Sequence, residues 1–414
     1  MKRLVALGFF GLITCISALT QPVKFGIDNL VDTNFELLSG LRVALVSHAA
    51  ARALDGRTSA EILSSAKNVT LAKILSPEHG FYGAVAAGKP VQNDSVFGVP
   101  VLSLYGLQRR PDTAMLKDID VVVIDLQDIG VRSYTYVSTM IEVMIACADA
   151  NKPVFVLDRA NPWGGEIIDG PIVDDARLSF IGRVPVPYVH GMTIAEIATM
   201  ANAEGWLKDY DMGPDRRGRV RRCKLTVVRL KRWTRQMRWE DLDRLWYPTS
   251  PNIPTPAAAR AYAVAGLLGE LGLVNIGIGS ALPFQVVGSP TITFDSVLVR
   301  RCTRNGVTLL DYVFTPTTGR FAKEICRGYL IDVGRSAQPI RAALDILSSV
   351  IEQSPAHRIA ETSTQSIAMF EKAIGSTAVL PLLRSKPTSA QIDDIASGSI
   401  PAFRERRARH LLYP

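Results

Sequence analysis

Polar and aromatic side chains follow several short apolar runs of this sequence. Glu78 and His79 come after the run 70–75, inside the string Ser-Pro-Glu-His-Gly. Other apolar runs are followed by His48, Gln127, Asp128, Arg132, Tyr134, Tyr136, Asp158, Arg159 and Asn161. Carboxylates and amides bind hydroxyl groups, and aromatic faces stack on pyranose rings. This set of side chains therefore suits the binding of a sugar.

The apolar runs that precede these residues have the pattern of strands in a parallel sheet. Strands that are buried on both faces read as near-continuous apolar segments. Five such segments lie at 43–46, 71–75, 101–104, 121–124 and 154–157. Helix-like segments at 58–66 and 137–150 alternate with them, which predicts an α/β fold with a Rossmann-like, doubly wound, mostly parallel sheet. Because the carboxyl ends of parallel strands share one edge, the polar residues would converge in one crevice.

Several of these residues also have a structural interpretation. Asp128 and Arg132 could form an ordinary i,i+4 ion pair on a helical turn. Asp158 and Arg159 could form an ion pair at the end of a strand. His190, which precedes Gly-Met-Thr and a helix-like segment, could be a loop histidine with a backbone partner. The combination of residues, more than any one of them, favours a site.

A chain of 414 residues exceeds the size of one ordinary core, so we expect two domains. The pattern changes near Trp246, where the prolines at 248, 251, 254 and 256 indicate an extended connection. We place a Rossmann-like N-terminal domain at 21–247 and a smaller α+β domain at 248–414.

The N-terminus has the pattern of an export signal. Lys2 and Arg3 precede an apolar run at 4–16, and small and polar residues follow it. We therefore predict a signal peptide at 1–20 and a periplasmic or secreted protein. A retained anchor is an alternative, although the run is short for a membrane span. Lipidation at Cys15 is a weaker alternative, because the three residues before it form a poor lipobox.

The net charge of +8 is partly concentrated in a basic segment that runs from Arg216 to Arg222. Since we expect an exported protein, we predict no nucleic-acid partner. An anionic cell-wall surface fits the segment better. A solvated insertion with no partner is the alternative.

The cysteines and glycines of the chain do not suggest a cofactor. Cys147, Cys223, Cys302 and Cys326 are widely spaced and form no CxxC pair, so we predict no metal site. A disulfide between Cys302 and Cys326 stays open at this point. The sequence contains no GxSxG, HExxH or P-loop motif, and the glycine pair that begins at Gly277 lacks the third glycine of a dinucleotide site.

Six strings of the sequence, in the same order along the chain, resemble those of one known family. They are SPEHG from Ser76, QDIGVRSYTY from Gln127, LDRANP from Leu157, GP at Gly170, HGMT from His190 and SPNIPT from Ser250. In these strings the chain is similar to the NamZ-type exo-β-N-acetylmuramidases. The resemblance extends through essentially the whole chain after residue 20.

The resemblance implies an active site in a cleft between a Rossmann-like domain and a smaller one. The family removes terminal N-acetylmuramic acid from the non-reducing ends of peptidoglycan fragments, without a cofactor or metal. The resemblance implies that Glu78 is the general acid. For the second catalytic group, Asp128 is the best remaining carboxylate, and the acetamido oxygen of the substrate is the alternative nucleophile. The resemblance also implies that Arg132 pairs with the lactyl group of the substrate. The implied sugar-binding residues further include His190, Ser250 and Asn252.

One string of the second domain departs from the family pattern. The family usually has EGRGTTRPFE where this chain has the stretch 276–285. Two glutamates and two arginines are replaced by Ile276, Ile278, Leu282 and Gln285. The alternative function is therefore a catalytically impaired protein of the same fold that binds cell-wall sugars.

Overall fold

The computed structural model describes residues 21–210, 218–354 and 362–414. The predicted signal at 1–20, with Cys15, lies outside the described residues, as do Arg216 and Arg217 of the basic segment. Of the arginines in that segment that are described, Arg221 pairs with Asp149 and Asp209. Binding of this segment to an anionic surface stays a prediction. In the described ranges, no helix is long and apolar enough to cross a membrane.

The described strands form three sheets. In chain order they are β1 (Arg42–Ser47), β2 (Thr70–Ser76), β3 (Asp94–Val96), β4 (Val99–Ser103), β5 (Val121–Asp125), β6 (Val154–Leu157), β7 (Asp169–Ile172), β8 (Pro187–Val189), β9 (Leu225–Val228), β10 (Val286–Ser289), β11 (Val307–Phe314) and β12 (Cys326–Val333). The central sheet has seven strands in the order β3-β4-β2-β1-β5-β6-β9. All of its neighbouring pairs are parallel except the pair of β3 with β4.

The order of the central strands confirms the predicted Rossmann-like, doubly wound α/β fold. From β1, the chain builds outward through β2 and β4 on one side and through β5, β6 and β9 on the other. The order of strands thus reverses between β1 and β5, where α/β sheets bind ligands at their carboxyl edge. The five predicted strands correspond to β1, β2, β4, β5 and β6. The sequence analysis missed β3 and β9, whose residues are largely exposed or half-buried and so lack a continuous apolar run.

The described helices are α1 (Gly26–Asp32), α2 (Ser59–Ser65), α3 (Thr113–Leu116), α4 (Tyr136–Asp149), α5 (Ile194–Ala203), α6 (Pro256–Glu270), α7 (Ser296–Arg304), α8 (Pro339–Gln353), α9 (Thr364–Ile374), α10 (Val379–Arg384), α11 (Ser389–Ser397) and α12 (Ile400–Ala408). Short 3₁₀ helices lie at Glu36–Leu38, Asp175–Arg177 and Trp239–Asp241. The helix predicted at 58–66 is α2, which begins after its cap Thr58. The helix predicted at 137–150 is α4.

Helix α4 connects the two halves of the molecule. Its side chains are buried from Tyr136 to Cys147, and its apolar residues belong to the same core as residues of the second half. The second half contains a small antiparallel sheet in the order β10-β12-β11, which agrees with the predicted α+β character. One apolar core includes residues of both halves, such as Met140, Ala261 and Leu344. The boundary between 247 and 248 stays a prediction.

The four cysteines of the described residues are all free and buried. Cys302 lies in α7 and Cys326 lies in β12, and the structure does not join them. The disulfide that the sequence left open is therefore not formed.

Candidate active site

A cavity of about 330 Å³ lies at the carboxyl edge of the central sheet, and we call it the Glu78 cavity. The loops after β2, β4 and β5 form one wall, which includes Glu78, His79, Tyr105, Ser133, Tyr134 and Thr135. The second half of the chain forms the other wall, which includes Ser250, Asn252, Tyr262, Glu270, Phe284 and Met369. Of the predicted site residues, this cavity brings together Glu78, His79, Tyr134, Ser250 and Asn252.

Glu78 is held firmly at the base of this cavity. Its side chain is 7% exposed, and each carboxylate oxygen accepts one hydrogen bond. The amide of Gly88 donates to Oε1 at 2.9 Å, and the hydroxyl of Thr135 donates to Oε2 at 2.6 Å. His79, the next residue, has a left-handed backbone with φ of 71°, and its Nδ1 bonds to the carbonyl of Val85 at 2.7 Å. A left-handed backbone conformation is uncommon for a residue other than glycine, so contacts with the surrounding loop must stabilise it at His79.

A second carboxyl group, Glu270, reaches the same cavity from the end of α6. Its side chain is partly buried, and burial raises its pKa to about 7. Tyr262 also lines the cavity. Burial raises the pKa of its hydroxyl, and the nearby carboxylates of Glu270 and Glu78 raise that pKa further. The sequence analysis missed Glu270. A signal was available, because Glu270 is the only acidic residue between Asp243 and Asp295 and it ends an otherwise apolar helix.

Aromatic residues support the wall between the two glutamates. The hydroxyl of Tyr134 donates to Thr249 Oγ1 at 2.9 Å, and the hydroxyl of Tyr136 donates to the Thr249 carbonyl at 2.7 Å. The rings of Tyr134 and Tyr136 meet edge to face at 4.7 Å. Tyr134 lines the cavity, whereas Tyr136 lies behind it. Tyr136 is thus a supporting residue and not, as predicted, one that binds the sugar.

His48 and Gln127 also lie behind the Glu78 cavity. The ring of His48 packs edge to face on that of Tyr136, with ring centres 4.8 Å apart. His48 Nε2 accepts a hydrogen bond from the backbone amide of Gln127 at 3.0 Å. Burial and the nearby Arg159 guanidinium lower the pKa of His48 well below its usual value, so the ring is neutral. Neither residue lines this cavity, although Gln127 lines a second one described below, so their contact with the substrate stays a prediction.

Asp128 does not line the Glu78 cavity either. Its Oδ2 accepts from the Gly130 amide at 2.7 Å, and its Oδ1 is buried without a partner. His190 Nε2 is 3.9 Å from Asp128 Oδ2. Burial raises the pKa of Asp128 to about 7 and lowers the pKa of His190 to about 3. These two buried groups contact each other and not the cavity. The carboxyl groups that line the cavity are therefore those of Glu78 and Glu270, and not that of Asp128.

Arg132, which was predicted to pair with the lactyl group, has structural partners and does not line the Glu78 cavity. Arg132 is 1% exposed, and its guanidinium donates to four backbone carbonyls. The acceptors, at 2.6 to 3.0 Å, are Pro171, Val186, Ala373 and Ile374. Arg132 thus ties the loop after β5 to the end of α9. It also makes no i,i+4 pair with Asp128.

Asp158, Arg159 and Asn161 follow β6 but have structural partners as well. Asp158 caps α5, because its carboxylate accepts from Thr193 Oγ1 at 2.8 Å and from the amide of Ala195 at 3.1 Å. Arg159 forms a buried, bidentate ion pair with Asp125. Asn161 donates to the Met192 carbonyl at 3.0 Å. None of the three lines the Glu78 cavity, and Arg159 lines a second cavity described below, so their contact with a sugar stays a prediction.

The stretch that departs from the family pattern lies beside the cavity. Phe284 is part of the cavity wall, and its ring meets that of Tyr262 at 4.7 Å. Ile278 lines a wide, open groove of about 840 Å³ that begins at Asn252, a residue shared with the cavity. Of the four replaced positions, only Ile278 lines the groove, and Ile276 packs against Gly269, the residue before Glu270. The two glutamates of the cavity are in place.

Comparison with known proteins places this geometry in a family. Residues 43–257 match the family Exo-beta-N-acetylmuramidase NamZ, N-terminal, and residues 260–413 match its C-terminal counterpart. The peptidoglycan beta-N-acetylmuramidase NamZ of Bacillus subtilis (strain 168) is 31% identical over 426 residues, covering 99% of this chain and 98% of that protein.

Two solved structures are also similar. A DUF1343 family protein of Bacteroides fragilis NCTC 9343 has a TM-score of 0.84 and 33% identity, over 95% of this chain and 99% of that one. A second protein of that family and organism has a TM-score of 0.68 and 28% identity over the same shares. The matches cover both halves of the chain, which confirms the resemblance seen in the sequence. This chain belongs to the NamZ exo-β-N-acetylmuramidase family.

Proposed function

We propose that this protein is an exo-acting glycoside hydrolase that removes terminal N-acetylmuramic acid from peptidoglycan fragments. Membership of the family supports hydrolysis of peptidoglycan glycosides. The observation that carries the proposal is the convergence of Glu78 and Glu270, from the two halves of the chain, on one cavity. Glycosidases characteristically use such a pair of carboxyl groups on either side of the scissile bond.

The surroundings of the two carboxyl groups suggest different roles. Glu270 has a pKa of about 7, so a large fraction of it holds a proton at neutral pH and can donate it to the leaving oxygen. Glu78 accepts hydrogen bonds on both oxygens, which suits a carboxylate that attacks the anomeric carbon or activates a water. This assignment gives the acid role to Glu270 instead of Glu78. The sequence-based choice of Glu78 as acid stays the competing prediction.

The shape of the site supports removal of a terminal sugar. The Glu78 cavity is compact, whereas the groove that begins at Asn252 is wide and open. One sugar in the cavity would place the remainder of the fragment along the groove, past Ile278 and Ser280. Cleavage at the junction would then release one residue from the end of the chain.

Arg109 is the cation that we assign to the lactyl carboxylate in place of Arg132. Its guanidinium lies 4.5 Å from the ring centre of Phe180 and 5.4 Å from that of Tyr105, a residue of the cavity wall. Arg109 is exposed, and within the described residues it has no carboxylate partner. It does not line the cavity itself, but from its position next to Tyr105 we expect it to reach a carboxylate carried by the sugar.

Kinetics of two isosteric variants test the proposal. We expect Glu78→Gln and Glu270→Gln each to lose about 10²- to 10⁴-fold in kcat on a muramic acid disaccharide. Glu166→Gln, at an exposed position, is the matched control and should retain full activity. Calorimetry with the same disaccharide tests the alternative function, a protein that only binds sugars. If the wild-type protein binds the disaccharide but does not hydrolyse it, the hydrolase proposal is wrong.

We also propose that the protein is exported, as the apolar run at 4–16 suggests. Fractionation of cells that express the full chain tests this, with the N-terminal sequence of the product as the readout. A product that begins near residue 21 outside the cytoplasm is expected. An uncleaved cytoplasmic product would contradict export.

A further inference from the structure

A second cavity, of about 340 Å³, lies at the same edge of the sheet and shares no lining residue with the Glu78 cavity. We call it the Arg52 cavity. The loops after β1, β5 and β6 line it through Arg52, Gln127 and Arg159, and the segment 239–247 closes its other side. It therefore lies over the point between β1 and β5 where the strand order reverses, which is a common ligand position in α/β sheets.

Two of the three arginines that line the cavity are neutralised within the protein. Arg159 pairs with Asp125, and Arg244 pairs with Asp28. Arg52 is different, since in the described ranges no carboxylate pairs with it. Its Nη1 donates to the Gly56 carbonyl at 2.6 Å, and its Nε is buried without a partner. Arg52 thus contributes a positive charge that no ion pair neutralises, and the one carboxylate among the described residues that line the cavity, that of Asp243, is exposed at the surface.

Gln127 provides a fixed acceptor in the same cavity. Its side chain is 2% exposed, and its Nε2 donates to the carbonyls of Asp128 and Ala160, both at 3.0 Å. These two bonds fix the orientation of the amide, and they leave Oε1 buried without a partner. A buried acceptor that lacks a donor is costly, and a ligand N–H would satisfy it.

The walls of the cavity favour a small aliphatic ligand over a sugar. Ala50, Ala53 and Leu54 line it, and Leu245 at its rim is 96% exposed. The ring of Tyr247 carries the Arg52 guanidinium at 3.9 Å. The other aromatic lining residues, Phe25, Trp239 and Trp246, pack on one another, with ring centres 6.0 and 4.7 Å apart, so these rings already have partners within the protein. Short apolar side chains would therefore contact the walls, whereas a sugar needs free aromatic faces for stacking.

We propose that the Arg52 cavity binds the carboxyl-terminal end of a short peptide with small side chains. The terminal carboxylate pairs with Arg52, a peptide N–H donates to Gln127 Oε1, and the side chains pack against Ala50 and Leu54. The site is independent of the proposed catalysis, because it contains neither Glu78 nor Glu270. A free peptide and the peptide of a peptidoglycan fragment share this chemistry.

Calorimetry on the full chain, with N-acetyl-alanyl-alanine as the probe, tests the proposal. The L,L and D,D forms serve as separate arms, because peptidoglycan peptides end in D-residues and ordinary peptides do not. We expect at least one form to bind. Its carboxamide analogue should bind at least about tenfold more weakly, since a charge-assisted hydrogen bond contributes about 1.5–3 kcal/mol.

Four variants test whether the peptide binds in the Arg52 cavity. Arg52→Gln should weaken binding at least about tenfold, and Leu54→Trp should fill the cavity and abolish binding. Arg57→Gln should change nothing, because Arg57 is exposed, pairs with Asp55 and does not line the cavity. Glu78→Gln should also bind normally, which separates this site from hydrolysis.

Three results would overturn the proposal. They are a failure of both peptide forms to bind, equal binding of the carboxamide, and binding that Arg52→Gln and Leu54→Trp leave intact. Binding of N-acetylglucosamine that Leu54→Trp abolishes would reassign the cavity to a sugar.

Discussion

Replacing Glu270 by glutamine tests the division of labour between the two glutamates. Because the pKa of Glu270 is about 7, nearly all of it is protonated at pH 5 and about a tenth at pH 8. If it is the acid, kcat/KM of the wild type should fall about tenfold per pH unit above 7. Glu270→Gln should lose this limb of the profile and about 10²- to 10⁴-fold in rate, or about 3–5 kcal/mol of transition-state stabilisation.

Substrates with different leaving groups show which of the two glutamates is the general acid. A muramic acid glycoside with a nitrophenyl leaving group needs little protonation, whereas a disaccharide needs full protonation of the departing sugar oxygen. We therefore expect Glu270→Gln to be nearly inactive on the disaccharide and largely rescued on the nitrophenyl glycoside. Glu78→Gln should be impaired on both substrates, because its role does not depend on the leaving group.

The opposite pattern would refute this reasoning. If Glu78→Gln is the variant rescued by nitrophenol, the acid is Glu78 and the roles are exchanged. If Glu270→Gln keeps wild-type kcat on the disaccharide, Glu270 is not catalytic, and its presence in the cavity has another cause. Thermal unfolding of both variants at pH 5 shows whether either loss is merely structural.

The remaining predictions concern stability and specificity. Burial raises the pKa of Glu270 in the folded state, so the folded protein loses stability as the pH rises from the ordinary pKa of a glutamate to about 7 and the carboxyl group ionises. Glu270→Gln should therefore raise Tm relative to wild type at pH 8 but not at pH 4. Arg132→Met should lower the free energy of unfolding in urea titrations by about 3–5 kcal/mol, because it leaves four buried carbonyls without donors. Arg109→Ala should raise KM for muramic acid glycosides about tenfold and leave that for N-acetylglucosamine glycosides unchanged, as steady-state kinetics would show. Asp128→Asn should keep kcat within about fivefold of wild type, since Asp128 does not reach the cavity; a loss as large as that of Glu78→Gln would restore it as the catalytic partner.

The sequence predicted the framework of the site well, because that framework depends on local patterns. Buried parallel strands need continuous apolar residues, so β1, β2, β4, β5 and β6 were visible as runs. The convergence of polar residues at the carboxyl edge then followed from topology alone.

The sequence could not show which polar residues at that edge are already satisfied. Arg132 donates to Ala373 and Ile374, more than 240 residues away in the chain, and Asp158 caps a helix that begins at Ile194. Buried polar groups must be paired, and those pairs depend on tertiary contacts that no local pattern records. Seven predicted sugar ligands have partners within the protein and do not line the Glu78 cavity: His48, Gln127, Arg132, Tyr136, Asp158, Arg159 and Asn161. Of these, Gln127 and Arg159 line the Arg52 cavity instead. Glu270 was missed because only the docking of α6 brings its last residue to the cavity that Glu78 lines.

The replacements in the second half have a different meaning once the site is assembled. In the sequence, the loss of four charged residues at 276–285 suggested that catalysis itself is impaired. In the structure, the carboxyl group opposite Glu78 comes from α6, which ends before that stretch begins, and Phe284 still closes the cavity. Ile278 borders the open groove, whereas Ile276 packs against Gly269, the residue before Glu270. Under the proposed function, the change at Ile278 would therefore affect which fragments are bound, and the apolar Ile276 would contribute to the burial that raises the pKa of Glu270.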